Sequence, residues 1–103
     1  MLILRDDDST MKVSVKFYAH LRNLVGRRGK VELELDSDAT VVQLLEELIQ
    51  DRKIRKHIFD DKNELKSDIT LLVNGREIKF LDGVNTMLKP GDEISFFPMV
   101  AGG

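Results

Sequence analysis

The residues with the plainest chemical use stand at the end of the chain, where Met99, Val100 and Ala101 lead to Gly102 and Gly103. Without side chains, a glycine pair can thread a narrow channel and bring its carboxylate to a nucleotide bound elsewhere. A carboxylate is itself a poor electrophile. Joined to AMP it becomes an acyl adenylate, which a sulfur or amine nucleophile can displace. The chemistry would then happen on this chain while another protein supplies the catalysis. Val100 to Gly103 can extend roughly 13 Å, far enough to enter a partner's active site.

The rest of the chain offers little to compete with that end. His20 and His57 are the only histidines, and neither has a cysteine or carboxylate at ligand spacing, so ordinary surface or packing roles are expected for both. Glu46 and Glu47 are adjacent on a helical stretch and therefore point in different directions. Asp60 and Asp61 read as turn charges. "VGRRG" has two glycines but not the remainder of a phosphate loop, so turn geometry explains it better. The cluster of Arg27, Arg28 and Lys30 could meet an acidic partner, although a charge run between strands is more often simply solvated. No internal nucleophile, base and cofactor site converge, so an enzyme acting alone is not expected.

Composition narrows the field further. At 103 residues the chain is one domain with room for a single core. Cysteine is absent, which removes disulfides, thiolate nucleophiles and cysteine-ligated metals and fits a reducing compartment. The net charge of −2 argues against a dominant nucleic-acid face. No apolar run approaches membrane-spanning length, and "MLILRDDDST" lacks a signal peptide's long apolar region, so a soluble, cytoplasmic protein is expected.

The elements that would position the tail follow from periodicity. Residues 1–10 read as a flexible acidic extension containing Asp6, Asp7 and Asp8, residues 11–98 as the folded domain, and residues 99–103 as an extended tail. Val13, Val15 and Phe17 alternate with polar residues, as do Val31, Leu33 and Leu35, giving two strands paired antiparallel. Between them a helical turn carrying Leu21 and Leu24 is expected to end near Gly26 in a left-handed exit. "DATVVQLLEELIQDRKI" predicts one helix, capped by Thr40 with Gln43 completing a capping box. Its stripe of Val41, Leu44, Leu45, Leu48 and Ile49 should lie on the sheet, with Arg52 and Lys53 complementing the helix end. In the irregular segment that follows, Ile58, Phe59 and Leu65 are the expected tethers. Ile69 to Val73 reads as a buried strand ended by "NG", Arg76 to Phe80 as a short strand, and "LKPG" as a type II turn into a last strand, Glu93 to Phe97. Pro98 removes a backbone donor and should stop the sheet there. The pattern predicts an α+β roll, with strand order left open.

"KVSVKFYAHLRNLVG", "TVVQLLEEL", "LLVNG" and "LKPGDEISFFPMVAGG" together resemble the MoaD/ThiS family of ubiquitin-like sulfur carriers, nearer its MoaD branch. The likeness runs from Lys12 to Gly103, and its specific part is the last, where turn, strand and diglycine stand in register. It implies a β-grasp fold, a mixed sheet wrapped around one main helix. By that resemblance Gly103 would be adenylated by an E1-like enzyme of MoeB or ThiF type, which uses ATP and magnesium, and would then carry a thiocarboxylate. A MoaE-like large subunit of molybdopterin synthase would receive the tail for molybdenum or tungsten cofactor synthesis. No cofactor, metal, nucleic acid or membrane would be bound by the chain itself. Gly102 matches the second functional glycine, and Phe96, Phe97, Pro98, Met99, Val100 and Ala101 match the partner-binding strand end and tail. Met99 departs from the pattern, since a second proline is frequent there. Related archaeal members act as protein modifiers joined through the terminal glycine to lysines, which is the alternative reading. A passive binding module with an idle tail is a third.

Overall fold

The computed structural model describes residues 10–99; the tail residues Val100, Ala101, Gly102 and Gly103 and the segment 1–9 lie outside that range. Strand β1 (Thr10–Phe17) buries Met11, Val13, Val15 and Phe17 on one face, following the period-two pattern. It starts at Thr10, which pairs with Asp36. Strand β2 (Lys30–Asp36) returns antiparallel, with Val15 opposite Val31 and Val13 opposite Leu33.

The connection between them differs from expectation. A 3₁₀ turn, Ala19–Leu24, buries Leu21 and Leu24, but a further helical turn, α1 (Gly26–Gly29), follows it. The left-handed residues of this connection are Ala19 (φ 56°) at its start and Arg28 (φ 64°) and Gly29 (φ 81°) at its end, not Gly26. Val25 is extended, so the chain leaves the 3₁₀ turn before Gly26 and reverses later. Gly29 is required there by contact as well as by φ: a Cβ would stand 2.7 Å from the Phe17 carbonyl oxygen.

The expected single helix is two. Helix α2 (Val41–Leu48) buries Val41, Leu44 and Leu48 and half-buries Leu45 and Ile49. At its start the Gln43 side chain accepts a hydrogen bond from the Thr40 N–H (2.8 Å), as the capping box predicts. Helix α3 (Arg52–Ile58) then begins afresh, because the Asp51 carboxylate accepts from the Ile54 N–H at 3.0 Å and caps a new turn. Arg52 and Lys53 consequently open α3 instead of closing α2, and Arg55, Lys56 and His57 occupy its last turn. Ile58 and Phe59 are buried and Leu65 packs against the core, as expected of tethers.

Strand β3 (Ile69–Val73) ends in a turn where Asn74 (φ 52°) and Gly75 (φ 87°) both take positive φ. Strand β4 is only Arg76–Glu77; the rest of the expected strand, Ile78–Phe80, is a 3₁₀ turn closed by the Leu81 N–H on the Ile78 carbonyl. Before the last strand, Gly91 has φ 84° and the Asp92 N–H donates to the Lys89 carbonyl (3.0 Å), the geometry of a type II turn. Strand β5 (Glu93–Pro98) enters the middle of the sheet, whose order is β2-β1-β5-β3-β4. It runs parallel to β1 and antiparallel to β3. This mixed sheet with α2 across its inner face is an α+β, ubiquitin-like β-grasp fold.

Candidate functional site

The place to examine is where β5 delivers the chain to its tail. Phe96 and Phe97 alternate across the sheet. Phe96 is fully buried and stacks on Phe17, with ring centroids 5.2 Å apart. The expectation that Phe96 contacts a partner is therefore corrected: its ring lies beneath the surface and supports it from below. Phe97 points to the opposite face, is half-buried, and stacks on Tyr18 at 4.1 Å with the rings 13° from parallel. The Tyr18 N–H donates to the Phe96 carbonyl (3.1 Å), which locks the end of β1 to β5.

Pro98 is the last residue of the strand and pairs with Ile69. The body keeps hold for one residue more, since the Met99 N–H donates to the Asp68 carbonyl at 2.7 Å. Met99 nevertheless presents its side chain to solvent, 61% exposed. Tyr18, Phe97 and Met99 thus form an aromatic and apolar margin on the outer face where the chain departs, with Pro98 between the last two facing the other side of the strand. The half-buried Thr70 and Leu72 of β3 share that face, Thr70 opposite Phe97 and Leu72 opposite Ser95. The family resemblance pointed to Phe97 but not to Tyr18 or Leu72, because a face built from non-adjacent strands needs the strand order.

At the opposite end of β5, the turn after β3 is held firmly. The Asn74 side chain donates to the Asp92 carboxylate (2.8 Å) and accepts from the Glu93 N–H (2.9 Å), while the other Asp92 oxygen accepts from the Lys89 N–H (2.8 Å). These bonds tie the β3 turn to the start of β5 and fix its register. Sequence reading had taken Asn74 only as turn chemistry.

No catalytic constellation appears elsewhere among the described residues. His20 is exposed, and His57 places Nδ1 2.9 Å from the Lys53 carbonyl oxygen. Asp60 accepts from the N–H groups of Glu64 (3.0 Å) and Lys62 (2.8 Å), which hold its carboxyl below the usual aspartate range and make it a turn former. A groove of about 640 Å³ between α2 and the segment after α3 has apolar walls of Val42, Leu45, Ile49, Phe59 and Leu65, with Glu46, Asn63 and Glu64 as its polar lining. Among the described residues no helix is long and apolar enough to cross a membrane.

The family model described as the ThiS family matches residues 15–103, which takes in the aromatic margin and everything after it. The chain belongs to the ThiS family. It is 37% identical over 93 residues to small archaeal modifier protein 3 of Haloferax volcanii, covering 90% of this chain and all of that one. An Archaeoglobus fulgidus protein bearing the name "Putative sulfur carrier protein" is 39% identical over 74 residues, 70% of this chain and 84% of the other. Among solved structures, SAMP1 of Haloferax volcanii superposes with a TM-score of 0.76 at 31% identity, covering 89% of this chain and 99% of that one. A Pyrococcus furiosus protein bearing the name "Putative molybdopterin converting factor, subunit 1" superposes with a TM-score of 0.66 at 33% identity, covering 87% and 99%. This ThiS-family chain is thus a ubiquitin-like domain of the group that holds sulfur carriers and small archaeal modifiers.

Proposed function

We propose that this protein carries sulfur as a thiocarboxylate on Gly103 and serves as the small subunit of a molybdopterin synthase, supplying molybdenum or tungsten cofactor synthesis. The observation that carries the reading is the join of Phe97, Pro98 and Met99 to the tail: a rigid aromatic margin ends where a segment without bulky side chains begins. An E1-like adenylating enzyme would hold ATP and magnesium. A Gly103 carboxylate oxygen attacks the α-phosphorus and pyrophosphate leaves. A hydrosulfide nucleophile then attacks the acyl carbon and AMP leaves with loss of a proton, so the carboxylate oxygen retained by AMP is replaced by sulfur. Gly102 would let the end pass through the channel, and Val100 and Ala101 would lie extended in it. The aromatic margin would dock first on the activating enzyme and then on a MoaE-like large subunit, to which the sulfur passes. The sulfur-carrier name of the Archaeoglobus fulgidus relative and the name of the Pyrococcus furiosus structure support this reading.

Purified adenylating enzyme from the same organism should exchange labelled pyrophosphate into ATP in the presence of the full chain and not with a chain lacking Gly102 and Gly103. Equal exchange with both chains would refute the proposal. The modifier reading is favoured by the 37% identity to small archaeal modifier protein 3. It predicts Gly103 remnants in isopeptide linkage on target lysines, and the same adenylate serves both outcomes.

A further inference from the structure

We propose that Lys16, Arg22, Arg28 and Lys30 form a docking corner for a short acidic peptide segment on the protein that takes up the tail. The proposal rests on the reading of the tail as a delivered substrate and names the chemistry its receiver must present.

Two features of this corner run against the local preferences of the chain. In the β1–β2 ladder Lys12 faces Glu34, and the Thr10 hydroxyl donates to Glu34 (2.8 Å), yet Lys16 faces Lys30 directly. Like charges opposite one another weaken a ladder. Arg28 takes φ 64°, a conformation that suits glycine or asparagine far better than a long side chain. The reversal needs left-handed backbone at this position but not a cation there, so both residue choices raise positive potential at one spot without being needed to close the hairpin.

The geometry gathers these groups. Without a Cβ on Gly29, Arg22 can lie against the loop; a Cβ there would be 2.9 Å from the Arg22 Cγ. Lys16, Tyr18, Arg22, Arg28 and Lys30 line a cleft of about 360 Å³. Lys16 Nζ sits 5.8 Å from the Tyr18 ring centre and 3.7 Å from Glu93. Among the described residues no carboxylate comes within 4.0 Å of the charged groups of Arg22, Arg28 or Lys30. Since Tyr18 also stacks on Phe97, the corner adjoins the margin from which the tail departs. A receiver gripping the margin meets the cations at the same time.

The same sheet face favours an acidic protein segment over nucleic acid. Glu32 and Glu34 continue along β2 from Lys30 at the two-residue spacing that keeps side chains on one face. A phosphate backbone running along the sheet would meet these carboxylates, whereas a segment with two or three carboxylates fits within the corner.

The test titrates the labelled chain with a hexaglutamate peptide and, separately, with a single-stranded poly(U) oligonucleotide, followed by amide NMR at low salt. Saturable peptide shifts at Tyr18, Arg22 and Arg28 to Lys30 are expected, with weaker oligonucleotide binding. Arg28→Gly combined with Lys30→Glu should abolish them. Arg28→Gly alone should weaken peptide binding without lowering the melting temperature, which separates docking from folding. A chain lacking Gly102 and Gly103 should bind the peptide as the full chain does, so the corner is tested even if the tail is never activated. With the adenylating enzyme, the double variant should raise KM about tenfold or more at low salt, and the difference should shrink at high salt. Unchanged peptide binding or unchanged KM in the double variant, shifts centred on the basic residues of α3, or tighter oligonucleotide binding would each overturn the proposal.

Discussion

Replacing the fully buried Phe96 ring, stacked on Phe17, by Ala empties a large volume from the core. Phe96→Ala should cost about 3–5 kcal/mol in urea unfolding. Phe97→Ala should cost much less stability and should weaken capture by the activating enzyme, read as a higher KM for the protein substrate. If Phe97→Ala unfolded the chain as readily as Phe96→Ala, the division between supporting and docking ring would be wrong. Sequence alternation separates the two rings onto opposite faces, whereas the family resemblance matches the strand end as a whole and so grouped Phe96 with the partner contacts. At Asp60 the sign of the pH effect follows from its lowered pKa. The turn it forms gains stability above the ordinary value of 3.8 and loses it as the pH falls through the depressed folded value. Asp60→Asn should therefore lower the acid sensitivity of amide protection at Lys62 and Glu64, and unchanged sensitivity would assign that dependence to other groups.

At the scale of elements, the break between α2 and α3 shows why apolar spacing alone misreads helices. The stripe from Val41 to Ile49 continues into the buried Ile54 and Ile58, so hydrophobic spacing does not mark an interruption. Asp51 three residues before Ile54 was the available signal, a capping residue in what looked like a helix interior. Asp51→Ala should cost about 1 kcal/mol in urea unfolding, with exchange protection lost first in α3; a loss spread evenly over α2 and α3 would mean they behave as one helix. A strand is more legible where an apolar run ends at a strong turn signal. Ile69–Val73 was legible residue for residue, whereas Ile78 and Phe80 looked strand-like and instead turn, because β3 pairs with β4 only at Arg76 and Glu77. Gly29→Ala should destabilise strongly, since the new Cβ would meet the Phe17 carbonyl at 2.7 Å in a backbone conformation already costly for alanine. Gly26→Ala has open space around it and should be nearly silent by the same melting measurement.

For the molecule as a whole, an α+β roll was legible from the strand hairpin, crossover helix and closing strand, and the β-grasp from the family resemblance, but strand order was not legible. The central place of β5 depends on pairing with β1 and β3, which are far from it and from each other in sequence, and no local preference encodes that arrangement. It is also what gives the tail its setting: a terminal strand in the middle of the sheet ends beside Tyr18 on one neighbour and Thr70 on the other. The central claim is that this scaffold presents Gly103 for sulfur loading. Intact-mass analysis of the full chain after incubation with its adenylating enzyme, ATP, magnesium and a sulfur donor tests it most directly. The account predicts a mass increase matching one oxygen replaced by sulfur, located on the C-terminal peptide at Gly103. A terminus that is adenylated and joined to lysines yet never carries sulfur would contradict it.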